Sequence, residues 1–270
     1  MEEVKPSPAA DSTPLTPLGF LERSATVYGN CPSVVYNDKT YTWSETHRRC
    51  LRVASMIASM GIERGHVVSV VAPNVPAMYE LHFTVPMAGM IFNTINTRLD
   101  ARTISVLLQH GESKLVFVDH EYSSLTLQSL SLFPSNTPRP KLILITDDEP
   151  SSESTVDFPI NYETLVKNGD PEYKWVQPKT ERDPIVLNYT SGTTSAPKGV
   201  VHYHRGIFLV VLDSLIDWSV PKQAVYLWTL PMFHVNGWSF TWGMAAVGGT
   251  NICIRKFELE SSTLPYTNTA

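Results

Sequence analysis

Residues 188–200 read NYTSGTTSAPKGV and grow directly out of the apolar run PIVLN of residues 184–188. The stretch packs two Gly, five Ser or Thr and one Lys into thirteen positions. A β-branched apolar run that gives way to small, hydroxylated residues is a buried strand ending at a loop. A loop of this kind suits a polyphosphate. Gly lets the backbone approach closely and take unusual dihedrals. Successive N–H groups form an anion-binding concavity. The hydroxyls add donors and the lysine adds a point charge. In open α/β sheets phosphates also sit outside the carboxyl ends of strands. A flexible turn in a hairpin is the plainer alternative, but it asks for far fewer special residues. The Walker loop G-x-x-x-x-G-K-[ST] does not fit: counted from Gly192, its second glycine falls on Pro197, and Gly199 follows Lys198.

Outward from the loop, helical and strand patterns alternate. TWSETHRRCLRVASMIASMG (42–61) predicts a helix with a capping box from Thr42 to Glu45, an apolar face of Cys50, Val53, Ala54, Ile57 and Ala58, and a stop at Gly61. HVVSVVAPN predicts a buried strand, VPAMYELHFTVPMAGM a helix, IFNTIN a strand, and DARTISVLLQHG a helix capped by Asp100. KLVFVD and KLILITDD read as strands with an amphipathic segment between them. Past the loop, GVVHYH is a short strand. HRGIFLVVLDSLIDW then places Ile207, Val210, Val211, Ser214, Leu215 and Trp218 at helical spacing. AVYLWTLP, the helix-like FHVNGWSFTWGMAAVGG and the strand TNICIRKF complete the series. This rhythm predicts an α/β fold of mostly parallel sheets flanked by helices. TNICIR is expected near an unfinished sheet edge.

The organisation read from the sequence is a disordered tail at 1–14, an N-terminal α/β subdomain at 15–170, a linker at 171–184, a loop-bearing part at 185–257 and a further tail at 258–270. The chain has 270 residues, 43% apolar and 17% charged, with a net charge of -5, which is globular and lacks the basic patch nucleic acid demands. No apolar run reaches membrane-spanning length. Cys31, Cys50 and Cys253 are far apart and show no metal or redox spacing, so a reducing compartment is expected. The ending NTA is not a peroxisomal address, and the chain is expected to be cytoplasmic.

The segment YTSGTTSAPKGV resembles the signature loop of the adenylate-forming superfamily, the AMP-forming acyl-CoA synthetases and ligases. PMFHVNGW (231–238) resembles that family's next motif, and residues 61–96 resemble its N-terminal region. PLTPLGFLERSA (14–25), LNYTSGTTSAPKGVVHYHRG (187–206) and GGTNICIRKF (248–257) are most similar to plant acyl-activating enzymes of the peroxisomal, short-chain or benzoate-type branch. Ser195 stands where the family usually has Gly. The resemblance implies the adenylate-forming large-domain fold and a two-step reaction. A carboxylate attacks the α-phosphate of ATP to give an acyl-adenylate, and CoA then displaces AMP. Mg2+ is implied as held with ATP, with no metal ligand from the protein, and the partner is a small carboxylic acid.

By the same resemblance, Thr190, Ser191, Gly192, Thr193, Thr194, Ser195, Ala196, Pro197 and Lys198 hold the β- and γ-phosphates. His234 lines the acyl pocket beside the reacting carboxylate, as a catalytic candidate. Asn236, Gly237 and Trp238 form the pocket wall, and Lys256 lies near the phosphates of CoA. Read from the residues alone, His234 is equally a satisfied core histidine, Trp238 and Trp242 are core aromatics, and Lys256 is a solvated strand-end charge. His202 and His204 read as structural or surface residues, since two His without a third ligand seldom bind metal. The family's later YGxTE and TGD motifs and its C-terminal lid are not found in this sequence. The expectation is a truncated N-terminal form of a ligase with little or no adenylation. The alternative is a catalytically inactive fragment that keeps phosphate or partner binding.

Overall fold

The computed structural model describes residues 13–147, 157–190 and 197–256, and of residues 235–238 the backbone only. The tail expected at 258–270 and almost all of that at 1–14 lie outside the described residues, as do loop residues 191–196.

In chain order the elements are α1 (Gly19–Val27), β1 (Pro32–Tyr36), β2 (Lys39–Thr42), α2 (Trp43–Ser59), β3 (Val67–Val71), α3 (Pro76–Met87), β4 (Ile91–Thr94), α4 (Ala101–His110), β5 (Leu115–Asp119), α5 (Ser123–Ser131), β6 (Lys141–Ile145), α6 (Tyr162–Asn168), β7 (Pro184–Thr190), β8 (Lys198–Tyr203), α7 (His204–Asp217), β9 (Val225–Leu227), α8 (Val235–Val247) and β10 (Thr250–Ile252). Local chemistry sets the boundaries. The Glu45 N–H donates to Thr42 Oγ1 and the Thr42 N–H donates to Glu45 Oε2, so the capping box that starts α2 is closed on both sides. The chain leaves α2 through Gly61 at φ 73°, a conformation glycine adopts without penalty. Asp100 caps α4 by accepting from the Thr103 N–H at 2.7 Å. Pro76 opens α3, where its missing N–H costs nothing.

Two sheets result. One has the order β6-β5-β3-β4-β7-β8 and the other β2-β1-β10-β9. Strand pairs are parallel except β1–β2 and β7–β8. Helix α3 is buried over almost its whole surface and touches β4 of the first sheet and β1 of the second. A helix that is mostly apolar around its circumference belongs in such an interior, where its Glu80 and His82 are buried too. Tyr79, Leu81, Phe83, Val85 and Met87 are each 0% exposed. Burying each large apolar side chain stabilises the fold by about 1.5–3 kcal/mol.

Two expectations are corrected. The first concerns TNICIR, which is not itself a sheet edge but lies one strand in from it. Strand β10 lies inside the second sheet, parallel to β1 on one side and β9 on the other, and Asn251 is buried there. Its Nδ2 donates to the Ser33 carbonyl while its Oδ1 accepts from Trp228 Nε1. The edges of that sheet are β2 and β9. The second concerns α7, which buries Ile207 and Val211 but leaves Val210 and Trp218 exposed. The strand behind the glycine loop runs antiparallel to the strand before it, as in the hairpin alternative.

Residues 171–183 carry no strand or helix, yet they are anchored. The Val176 N–H donates to the Met87 carbonyl, and Tyr173 and Trp175 pack on the core. Strand β7, which follows them, pairs with β4 in the same six-stranded sheet.

Candidate functional site

Parallel pairing brings the carboxyl ends of β4 and β7 to one edge of the six-stranded sheet. Strand β8 starts at the same edge, with Thr190 opposite Lys198. The glycine loop therefore springs from the closed end of an antiparallel pair. Its described residues are Thr190 and Lys198, both exposed, and the half-buried Pro197. At the base of the loop a Cβ on Gly199 would come within 3.1 Å of Leu187 Cδ1 and 3.5 Å of Tyr189 Cε1, so the close strand pairing favours glycine there. Tyr189 is pinned from the helix side: its hydroxyl and His110 Nδ1 share a hydrogen bond of 2.8 Å. Burial pushes the Tyr189 phenol up to about 12, so it stays protonated across the working range.

Next to the loop lies a cavity of about 460 Å³. Thr94 and Asn96 line it from the end of β4, and Leu99, Thr103 and Leu107 from the approach to α4 and the helix itself. Asn188, Tyr189, Thr190, Pro197, Val200 and His202 line it from β7, the loop end and β8, and Phe233 and His234 close the third side. The structure thus brings His234, Thr190 and Pro197 onto one cavity. Lys198 pairs with the lining residue Thr190 by strand register but is absent from the cavity walls. Lys256 is exposed beyond the end of β10, next to Arg255, whose guanidinium donates to Asp119 at 2.7 Å and pairs with Asp147. It does not reach this cavity. Asn236, Gly237 and Trp238 sit in the first turns of α8, and their side chains lie outside the described residues.

His202, read from the sequence as structural or surface, lines the cavity, and burial lowers its pKa. His204 is structural: its Nδ1 lies 2.8 Å from Thr16 Oγ1, and burial lowers its pKa to about 4. Trp242 is a core residue, 0% exposed, with its Nε1 donating to the His82 carbonyl. Sequence reasoning missed the polar floor of the cavity. Asn188 Nδ2 donates to Thr94 Oγ1 at 3.0 Å, and Thr94 Oγ1 donates to the Phe233 carbonyl at 2.9 Å. Asn188 Oδ1 is buried without a hydrogen-bond partner among the described residues. A polar residue at the carboxyl end of an otherwise apolar strand was the available signal.

Comparison with known proteins gives this edge of the sheet its context. The family model described as AMP-binding enzyme matches residues 21–267. The chain belongs to the AMP-binding enzyme family. Among its relatives is the 2-methylpropanoate–CoA ligase CCL4 of Humulus lupulus, 66% identical over 263 residues that make up 96% of this chain and 47% of the relative. The probable acyl-activating enzyme 5, peroxisomal, of Arabidopsis thaliana is 59% identical over 96% of this chain and 47% of its own length. The chain spans about half the length of the curated relatives it matches. Among solved structures, the inhibitor-bound N-terminal domain of FACL13 from Mycobacterium tuberculosis superposes with a TM-score of 0.76 at 24% identity, covering 90% of this chain and 58% of that one. That likeness shows the shared fold: mostly parallel sheets flanked by helices. Among the described residues, no helix is long and apolar enough to cross a membrane.

Proposed function

We propose that residues 185–257 form the phosphate-loop and acid-pocket part of an AMP-forming carboxylic acid–CoA ligase. One observation carries the reading: the two ends of the glycine loop and His234 border a single cavity at the carboxyl ends of β4 and β7. The site fits a phosphate chain in its donor chemistry. Hydroxyls from Thr190 onward, backbone N–H groups and the exposed Lys198 ammonium all favour anions. Magnesium carried in with ATP supplies further neutralisation of phosphate charge.

In this reading the division of labour is the one that the family resemblance implies. Thr190 to Lys198 hold the β- and γ-phosphates, and His234 faces the acid as its carboxylate oxygen attacks the α-phosphorus and pyrophosphate leaves. Asn236, Gly237 and Trp238 bound the acyl group. The CoA thiolate then forms the thioester as AMP departs, with Lys256 near the CoA phosphates. The protein contributes mainly orientation and charge stabilisation, effects that act on the transition state rather than on the substrate alone. One relative, a 2-methylpropanoate–CoA ligase, is named for a small carboxylic acid.

The second reading is phosphate binding without turnover. Acid-dependent exchange of labelled pyrophosphate into ATP separates the two, because it reports the first half-reaction without CoA. Exchange stimulated by 2-methylpropanoate or another short acid supports the ligase reading. Saturable MgATP binding with no exchange supports the second. Neither binding nor exchange rejects both.

A further inference from the structure

Three buried side chains, one from the end of each of three neighbouring strands or the turn just after it, hold the segment that carries His234. Asn74 lies just past β3. Its Nδ2 donates to the carbonyls of Trp228 and Leu230, both at 2.9 Å, and its Oδ1 accepts from the Met232 N–H at 2.8 Å. Thr94, at the end of β4, donates to the Phe233 carbonyl at 2.9 Å. Asn188, near the end of β7, donates to Thr94 Oγ1 at 3.0 Å. Asn74 is 8% exposed, Thr94 5% and Asn188 8%.

We infer that Asn74 and Thr94 are positioning residues for His234, with Asn188 orienting Thr94. The segment they hold, residues 228–234, has no helix or strand of its own to fix it, so its backbone groups need partners from elsewhere. Asn74 supplies three of them through one planar amide. No other side chain of that length offers two N–H donors and a carbonyl acceptor in a fixed arrangement. Trp228 anchors the start of the segment: it is 0% exposed, and its N–H donates to the Ile252 carbonyl. The hydroxyl of Thr94 fixes the end, on the carbonyl of the residue immediately before His234. The same Thr94 and Asn188 form part of the cavity wall that His234 shares. One network therefore sets both the floor of the cavity and the direction from which the imidazole enters it. Small misplacements of a reacting group cost large factors in rate, so the strand ends control the chemistry through the placement of His234.

The inference rests on the ligase reading for its functional meaning, but its test needs no ligand. The ring signals of His234 are followed by nuclear magnetic resonance in the full chain and assigned through their loss in His234→Gln. Thr94→Val keeps the volume of the side chain and removes its hydroxyl. Asn74→Asp turns two donors into an acceptor facing two carbonyls. In both variants the His234 signals are expected to shift or broaden while those of the remote, exposed His120 stay in place. Thr94→Ser, which restores the hydroxyl, is expected to return His234 to its wild-type position. Lowered melting temperatures with His234 signals that superimpose on wild type would overturn the inference, leaving these bonds merely structural. If Asn74→Asp does not fold, the Thr94→Val and Thr94→Ser pair decides alone. A wild-type chain that fails to bind MgATP rejects the ligase reading and leaves the positioning result unaffected.

Discussion

Arg49 Nε lies 2.6 Å from Glu80 Oε1, and the Glu80 side chain is fully buried. The same guanidinium makes two hydrogen bonds to Glu163, and the Tyr162 hydroxyl donates to Glu80 Oε2 at 2.7 Å. The cluster ties α2, α3 and α6 together. Burial pushes the Glu80 carboxyl up, and the Arg49 charge pulls it back. Removing one partner of a buried pair leaves a charge without compensation, at a cost of about 3–5 kcal/mol. Arg49→Met is therefore expected to lose about that much stability at neutral pH, and less at pH 5, where the orphaned Glu80 takes up a proton. Glu80→Gln is expected to cost less, because Arg49 keeps Glu163. Urea denaturation of both variants at the two pH values checks the order.

His82 gives a second pH signature. Its ring is buried between Phe92 and Trp242, and burial lowers its pKa from 6.5 to about 4. Between those values the unfolded chain binds a proton that the folded chain refuses, so stability rises with pH across the window. The contribution is full above about 6.5 and is lost as pH falls towards about 4. His204 titrates with the same sign. Denaturation midpoints measured from pH 7 down to pH 4.5 are expected to fall steadily, and His82→Gln to flatten the slope.

Gly169 follows α6 where it meets α2. A Cβ there would stand 2.0 Å from the Arg52 carbonyl oxygen, a backbone atom that cannot swing away. Arg52 Nη1 donates to the Gly169 carbonyl, so both sides of the contact are fixed. Gly169→Ala is expected to destabilise the chain by about 1–3 kcal/mol, the usual cost of overpacking. A thermal melt measures it.

Phe240 of α8 links the end of α7 to β9, an edge strand among the described residues. Trp218 is 72% exposed and packs edge-on against Phe240, which stacks on Tyr226 of β9. Ile216 and Val225 are 77% and 66% exposed. A contiguous apolar face beside an unpaired strand edge promotes association. The purified chain is expected to self-associate as its concentration rises, and Ile216→Lys with Trp218→Lys to reverse this. Sedimentation at several concentrations reads the change.

Local signals made much of the fold legible. The Thr42–Glu45 box, Gly61 and Asp100 mark helix ends through bonds that reach only three residues, so α2 and α4 could be placed from sequence. The hairpin of β1 and β2 went unread, although Asn37-Asp38 between two β-rich runs is a turn signal and Asn37 does adopt φ 53°. The split into two sheets was not legible, because it depends on Val34 pairing with Asn251 across most of the chain. At the site, the composition of the loop pointed to phosphate chemistry. The bonds of Asn74 and Thr94 to residues 228–233, and of Asn188 to Thr94, left no local trace beyond a polar residue at the end of an apolar strand, since each joins segments that only the folded sheet brings together.

The measurement that tests the central claim most directly is a thermal melt of the chain and of Lys198→Ala with increasing MgATP. A ligand at a hundred times its dissociation constant stabilises the folded state by about 2.7 kcal/mol. The account predicts a saturable rise in the midpoint of the wild-type chain, and for Lys198→Ala the same rise only at about tenfold higher MgATP, a difference of about 1.4 kcal/mol. A wild-type midpoint that stays fixed at millimolar MgATP, or a response identical in Lys198→Ala, would contradict it.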